Sequence, residues 1–434
     1  MNNRFKLSTL ATLVMGALAA NAAHAVDFQM HGYMRSGILA TSDGTRGNIV
    51  GLMPQLGEFR LGNEEKTKIE LIPVLTWQTT DGVIARAHTN FTHETRCTAD
   101  WNCVDNNGHE LEVREGYAEI ENLPFSPNAV FWAGKRYSSS NTSSHMYDWE
   151  YIQYNGTGGG IDKLDVGFAK MDIGLYSFSP SDEGAVQPAD PTKQGYSDDY
   201  SVNIWLKRIA DTRFDLEFMS HYMQRNQWRP EGTAVNGVGV TAVYNFEGFY
   251  GLGGGYSRAV FQYGKGLASG DSLGKNGWGW ANLESNNSYR LVLDGMYSVA
   301  GLDVATFAYY QQDSDYRAWT GKDTGWKRKL WAAGVRPYQQ IAKYFAMQYE
   351  LGYEYYDESA GESQGRTNMK GGLYKATIAP TIAFGDGFWS RPSLRTYVTY
   401  AKWDKGVDGR LDPGYTVDGK TSTLNFGVQG EVWF

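Results

Sequence analysis

The sequence predicts an all-β protein: a transmembrane antiparallel up-and-down β-barrel of about eighteen strands, with one loop folded into its lumen. Three observations carry this. Aromatics are 14% of the 434 residues and Gly totals 52, in a chain that is polar on average. That mix is too aromatic for disorder and too polar for one large soluble core. Strands with one lipid-facing apolar side and one lumen-facing polar side reconcile the two. The second observation is period-two alternation, which divides the chain into about eighteen strand-like segments. The third is that the connections alternate short and long, as periplasmic turns and external loops do in such barrels.

Taken in order, residues 1–25 read as a secretory signal peptide. Arg4 and Lys6 give a positive start, Leu7 to Ala20 is an apolar run too short to span a bilayer, and Ala23-His24-Ala25 supplies a small-x-small cleavage site. Residues 26–434 read as one outer-membrane barrel domain, with no apolar run long enough for a transmembrane helix. The strand-like segments fall near 27–40, 59–77, 82–95, 110–122, 129–137, 162–170, 172–180, 198–209, 212–224, 237–247, 249–262, 288–299, 302–312, 328–338, 343–357, 370–383, 391–404 and 421–434. Short connections include Asp81-Gly82, Asp211-Thr212, Glu247-Gly248 and Ala300-Gly301. Between them lie long polar ones: 41–58, 96–109, 138–161, 181–197, 225–236, 263–287, 313–327, 358–369 and 405–420. An even strand number leaves both termini on the periplasmic side.

The two terminal strands show the face pattern best. In the last one Leu424, Phe426, Val428, Val432 and Phe434 share the lipid phase, while Thr423, Asn425, Gln429, Glu431 and Trp433 share the lumen phase. In the first, Phe28, Met30, Met34 and Ile38 face lipid, and His31, Tyr33 and Arg35 face inward. The stretch from Trp132 to Phe168 leaves a strand, runs through polar, aromatic and Gly-rich residues over 138–161, and returns as a strand. Such a length is functional or disordered in a compact domain. It is expected to fold inward, with Asp148, Glu150, Tyr151 and Tyr154 clustered and Gly156 to Gly160 flexible. Almost every other long loop reads as surface decoration.

The net charge of −8 argues against a nucleic-acid partner. The seven histidines are scattered, none in a nucleophile context, so an enzyme is not expected. Cys97 and Cys103 are the only cysteines, and a secreted chain makes a disulfide their default. Zinc would need three or four ligands, and only His93 and His109 lie near. No metal or cofactor is expected.

The chain resembles the maltoporins and related sugar-specific porins over nearly its whole mature length. The residues that carry the resemblance are VDFQMHGYMRSG at 26–37, FRLGNE at 59–64, WAGKR at 132–136, HMYDWEY at 145–151, GTGGGIDKLDVGF at 156–168, WSRP at 389–392, YAKWD at 400–404 and FGVQGEVWF at 426–434. It implies an eighteen-stranded outer-membrane barrel, a homotrimer in outer-membrane lipid, and facilitated diffusion of oligosaccharides such as maltose, maltodextrins or sucrose. The alternative is a non-specific diffusion porin for small hydrophilic solutes.

Sugars present apolar ring faces and a rim of hydroxyls, so their passage calls for aromatic platforms and charged hydrogen-bonding groups. The resemblance implies a slide made of Tyr33, Trp101, Phe249, Trp389 and Trp433, interrupted at Lys68, where family members carry a tyrosine. Trp101 would serve the neighbouring subunit's mouth, held by a Cys97–Cys103 loop. The ionic track and constriction would contain Arg35, Arg60, Glu70, Arg114, Asp148 and Glu150. Against maltoporin, Ser138 to Thr142 is small and uncharged, Glu150 stands where a pore-narrowing tyrosine does, and Gln153 replaces an aspartate. In these positions the throat is closer to the sucrose porins.

Overall fold

The computed structural model describes residues 26–42, 47, 49–52, 57–95, 111–138, 143–178, 198–224, 232–277, 279, 282–315, 326–359, 368–411 and 413–434. The signal-peptide reading, Cys97, Trp101 and Cys103 fall outside them.

Eighteen strands form one sheet that closes on itself. They are β1 (Val26–Thr41), β2 (Thr67–Gln78), β3 (Ile84–Thr95), β4 (Glu112–Leu123), β5 (Ser126–Ser138), β6 (Tyr154–Asp165), β7 (Lys170–Phe178), β8 (Asp199–Lys207), β9 (Phe214–Met223), β10 (Asn236–Phe246), β11 (Tyr256–Gly266), β12 (Asn287–Val299), β13 (Leu302–Ser314), β14 (Lys327–Ala342), β15 (Phe345–Ser359), β16 (Met369–Ala383), β17 (Ser393–Trp403) and β18 (Ser422–Trp433). Sequence neighbours pair antiparallel, and β1 pairs with both β2 and β18, which closes the barrel. Gly32 and Phe434 exchange two backbone hydrogen bonds, of 2.9 and 3.1 Å, so the last residue completes the seam.

Alternation explains why these segments are strands. In β17, Ser393, Arg395, Tyr397, Thr399 and Ala401 are buried inward, while Leu394, Thr396, Val398 and Tyr400 are exposed outward. Phe28, Met30, Met34 and Ile38 of β1, and Phe426, Val428 and Phe434 at the other end of the chain, are likewise exposed on the lipid side.

Three boundaries depart from the sequence reading. The second strand begins at Thr67, not at residue 59. Phe59 to Glu65 are all buried, so this stretch has no lipid-facing phase, and Gly62 takes a φ of +66°. It carries Arg60 and Glu64, which find partners in the lumen and would find none in lipid. The glycine run is also not a flexible loop: Gly156 to Gly160 lie inside β6, and the connection from β5 shrinks to 139–153. Gly160 sits opposite Trp132, and a Cβ there would meet the indole Nε1 at 2.8 Å. Glycine is needed for that approach, and its extended backbone still pairs. Finally β11 starts at Tyr256, not at residue 249. Gly248, Gly251, Gly254 and Gly255 all take positive φ, which turns the chain through 247–255 where a two-residue connection was expected.

The interior is filled by loops as well as by wall. Met146, Tyr147, Tyr151 and Ile152 of the 139–153 connection are buried in the main apolar cluster. Val50, Leu52 and Phe59 of the first connection join them, as do Val407, Leu411 and Tyr415 near the last. Leu267, Ala268 and Leu273 are buried after β11. These three connections are therefore not surface decoration. Their apolar side chains leave water by turning into the barrel.

Candidate functional site

The constriction is built by two loops that pair with each other. The Glu58 N–H donates to the Tyr147 carbonyl at 3.0 Å, and the Arg60 N–H to the Met146 carbonyl at 3.1 Å. Tyr147 stacks on Phe307 of β13, ring centroids 4.7 Å apart, and meets Phe59 edge-on at 5.0 Å. Glu354 of β15 fastens both loops: it accepts from the Leu52 N–H at 2.7 Å and from the Tyr147 hydroxyl at 3.2 Å. Arg336 of β14 holds the Met146 carbonyl at 3.0 Å. A third loop closes the far side. Gln153 pairs with Lys275, and its N–H donates to the Gly274 carbonyl at 2.9 Å.

Between these loops and the β1–β3 wall lies a cavity of about 490 Å³. Charged groups dominate its lining: the carboxyls of Glu58, Glu64, Glu65, Glu94, Asp148 and Glu150 face the cations of Arg35, Lys66, Lys68 and Lys275. Such a confined, charged passage focuses fields and offers many hydrogen-bonding partners. Trp389 and Tyr137 contribute aromatic surface to the same space.

Strand register brings the sequence-predicted residues together. Tyr33 stands opposite Trp433 on one side and Glu70 on the other. Two residues on, Arg35 stands opposite Glu431 and Lys68. Arg35 binds Glu64 and reaches Asp148 at 3.2 Å. Glu70 binds Arg114 at 2.8 Å and Lys68 at 3.2 Å. Arg114 lies 3.4 Å from the Tyr137 ring centroid. Glu150 accepts from the Tyr137 hydroxyl and, at 2.6 Å, from Gln153. Asp148 holds a φ of +43°. Its side chain is 35% exposed; the surrounding loops still strip water from it and oppose its charge, but the Arg60 and Arg35 guanidiniums overcome this and hold the carboxyl down at about 2.

Arg60 is buried and sits in the inward segment, not on a strand. It binds Glu64, Glu431 and the Tyr33 hydroxyl, and donates to His145 Nδ1 at 2.7 Å. Glu431 also receives Arg391 at 2.6 Å and Arg395. Three guanidiniums on one buried carboxylate make Glu431 the hub of this wall. Burial and the Arg60 charge push His145 well below the usual imidazole range, so its ring is neutral.

The aromatic residues separate into two groups. Trp389 and Trp433 lie with centroids 6.2 Å apart, and His145 approaches them at 5.3 and 6.0 Å. Arg391 lies 4.1 Å from the Trp433 ring centroid. Phe249 is not brought to this group. Its ring packs on Tyr250 at 4.7 Å and on Tyr297 at 5.8 Å. Tyr297 lies on the same phase of β12 as the exposed Leu291 and Leu293, so the Phe249 ring packs beside a side chain of the lipid-facing phase.

Sequence reasoning left out Glu64, His145, Lys275, Arg391 and Glu431 as site residues. Glu431 was visible on the lumen phase of the last strand, and His145 and Arg391 lie within the quoted motifs. Lys275 had no local signal, because only the fold of a distant loop delivers it.

The LamB porin family model matches residues 28–434. Among solved structures, the chain is similar to OccK9 (OpdG) of Pseudomonas aeruginosa at 9% identity, with a TM-score of 0.50 over 94% of this chain and 98% of that one. A variant of OccD1 (OprD) matches at 9% identity and a TM-score of 0.50, over 94% of this chain and 95% of its own. At this identity the structural likeness shows the barrel fold. The family match covers β1 to β18 together with the loops that build the throat, and the chain therefore belongs to the LamB porin family, as a multi-pass β-barrel porin of the outer membrane.

Proposed function

We propose that this porin is sugar-selective, passing maltose, maltodextrins, sucrose or related oligosaccharides by facilitated diffusion. The observation that carries the reading is the row Trp433–Tyr33–Glu70 across β18, β1 and β2, with Trp389 beside it. Aromatic surface and charged groups there alternate over a few ångströms, which suits a ring with an apolar face and a hydroxyl rim. Each contact is modest on its own, so sugars are guided without being trapped.

Trp101 extends the slide at the external mouth, carried by a Cys97–Cys103 loop, and a homotrimer lends it to the neighbouring subunit. Glu150 and the small uncharged Ser138–Thr142 stretch favour sucrose-like disaccharides beside linear glucosides.

The test is sugar block of single-channel current, with a panel of mono-, di- and trisaccharides in liposome swelling. Saturable block by disaccharides is the expected result. A channel that passes all small solutes by size alone, with no block, is a non-specific diffusion porin.

A further inference from the structure

Lys275 is a throat cation delivered by a loop and not by a strand of the barrel wall. It lies in the connection after β11, and Ser272 on that loop accepts from its N–H at 2.9 Å. The side chain is 9% exposed and borders the cavity between the loops and the β1–β3 wall. Among the described residues, no side chain forms an ion pair or hydrogen bond with its ammonium. The other lining cations are occupied: Arg35 by Glu64 and Asp148, Lys66 by Glu94 at 2.5 Å, and Lys68 by Glu70. Its ammonium borders the cavity, so a group in the passage can accept from it without displacing a protein partner.

Glu150 is on the same side. Lys275 pairs with Gln153, and the Gln153 amide binds the Glu150 carboxylate at 2.6 Å. The Glu150 charge acts on Lys275, as do those of Arg290 from β12 and Asp271 from its own loop. A carboxylate acceptor and an ammonium donor therefore border one space.

We propose that Lys275 is a specificity-determining contact for neutral sugars, donating to one hydroxyl of a vicinal pair while Glu150 accepts from the other. The lining carboxyls outnumber its cations, which disfavours an anionic ligand and favours a polyhydroxylated neutral one. This inference rests on the sugar-porin reading and adds to it a contact from the connection after β11.

The experiment is sucrose and maltose block of the assembled channel in planar bilayers, with glucuronate as the anionic probe. At neutral pH, Lys275→Met should weaken block by both neutral sugars about tenfold, the loss of one charge-assisted hydrogen bond. Lys275→Arg should stay near the parent. Burial brings the Lys275 ammonium down to about 8, so well above that pH the parent loses its charge and the gap between parent and Lys275→Met should close. A purely structural role would leave the gap the same at both pH values and would overturn the proposal, as would equal block at neutral pH. Glucuronate weakened more than the neutral sugars would make the site an anion site and also overturn it. A parent channel that no sugar blocks would remove the sugar-porin reading itself, and this contact with it.

Discussion

Tyr33 and Trp433 stand directly opposite each other across the seam where the first strand meets the last. Residues about 400 apart in the chain thus form one cross-strand pair on the lumen side, and such pairs have side chains in contact range. The Tyr33 hydroxyl is held by Glu431 at 3.0 Å and by Arg60, and Trp433 is backed by Arg391. Both rings are fixed before any ligand arrives, which lowers the cost of binding.

Tyr33→Ala and Trp433→Ala should each weaken sugar block by about 1 kcal/mol, the scale of aromatic contacts beyond burial. Small-ion conductance should persist. Unchanged affinity in the double variant would leave only a wide polar pore.

The throat should become more cation-selective on raising the pH through 8. Burial, then the Asp148 and Glu354 charges, pushes the Glu58 carboxyl up to about 8, and burial brings Lys275 down to about 8. Below that point Glu58 is protonated and neutral, and Lys275 is positive. Above it Glu58 is negative and Lys275 is neutral, so both changes move the passage in the same direction. Reversal potentials in a salt gradient check this. A pH-independent reversal potential would contradict it, and Glu58→Gln should remove part of the shift.

Glu354→Leu should loosen the constriction without opening the barrel. Glu354 accepts from both the Leu52 N–H and the Tyr147 hydroxyl, so its loss leaves buried donors unsatisfied at roughly 1–3 kcal/mol each. Noisier, larger single-channel currents are expected, with heat-resistant mobility on gels retained. Quiet, parental currents would show that other contacts, such as Arg336 to Met146, suffice.

Glu150→Tyr should narrow the throat. The carboxylate now accepts from Tyr137 and Gln153 and borders the cavity of about 490 Å³, and a bulky ring would take up part of that space. Conductance should fall and sucrose should slow relative to maltose in liposome swelling. Parental ratios would place the selectivity elsewhere.

Cys97 and Cys103 should be bonded in the mature protein. Intact mass measured without reductant, with and without alkylation, reads this directly. Two alkylated thiols would remove the closed loop around Trp101.

The sequence by itself determined the barrel. Strand number, the lipid and lumen phases of β1 and β18, and an inward connection after β5 all follow from two-residue alternation and loop length, which are local properties. Tyr33, Arg35, Glu70 and Trp433 were legible because strand phase alone fixes which way a side chain points. Tertiary structure decided the rest. Phe59 to Glu65 look like strand in composition, yet they lie in the lumen because Arg60 and Glu64 are satisfied there by Glu431, His145 and Arg35. Phe249 resembles a slide residue, yet the positive-φ glycines around it turn its ring toward Tyr297. Lys275 reaches the throat only because the connection after β11 folds back over Gln153. Contacts between loops far apart in sequence depend on how each fills the space left by the others, and no local pattern encodes that.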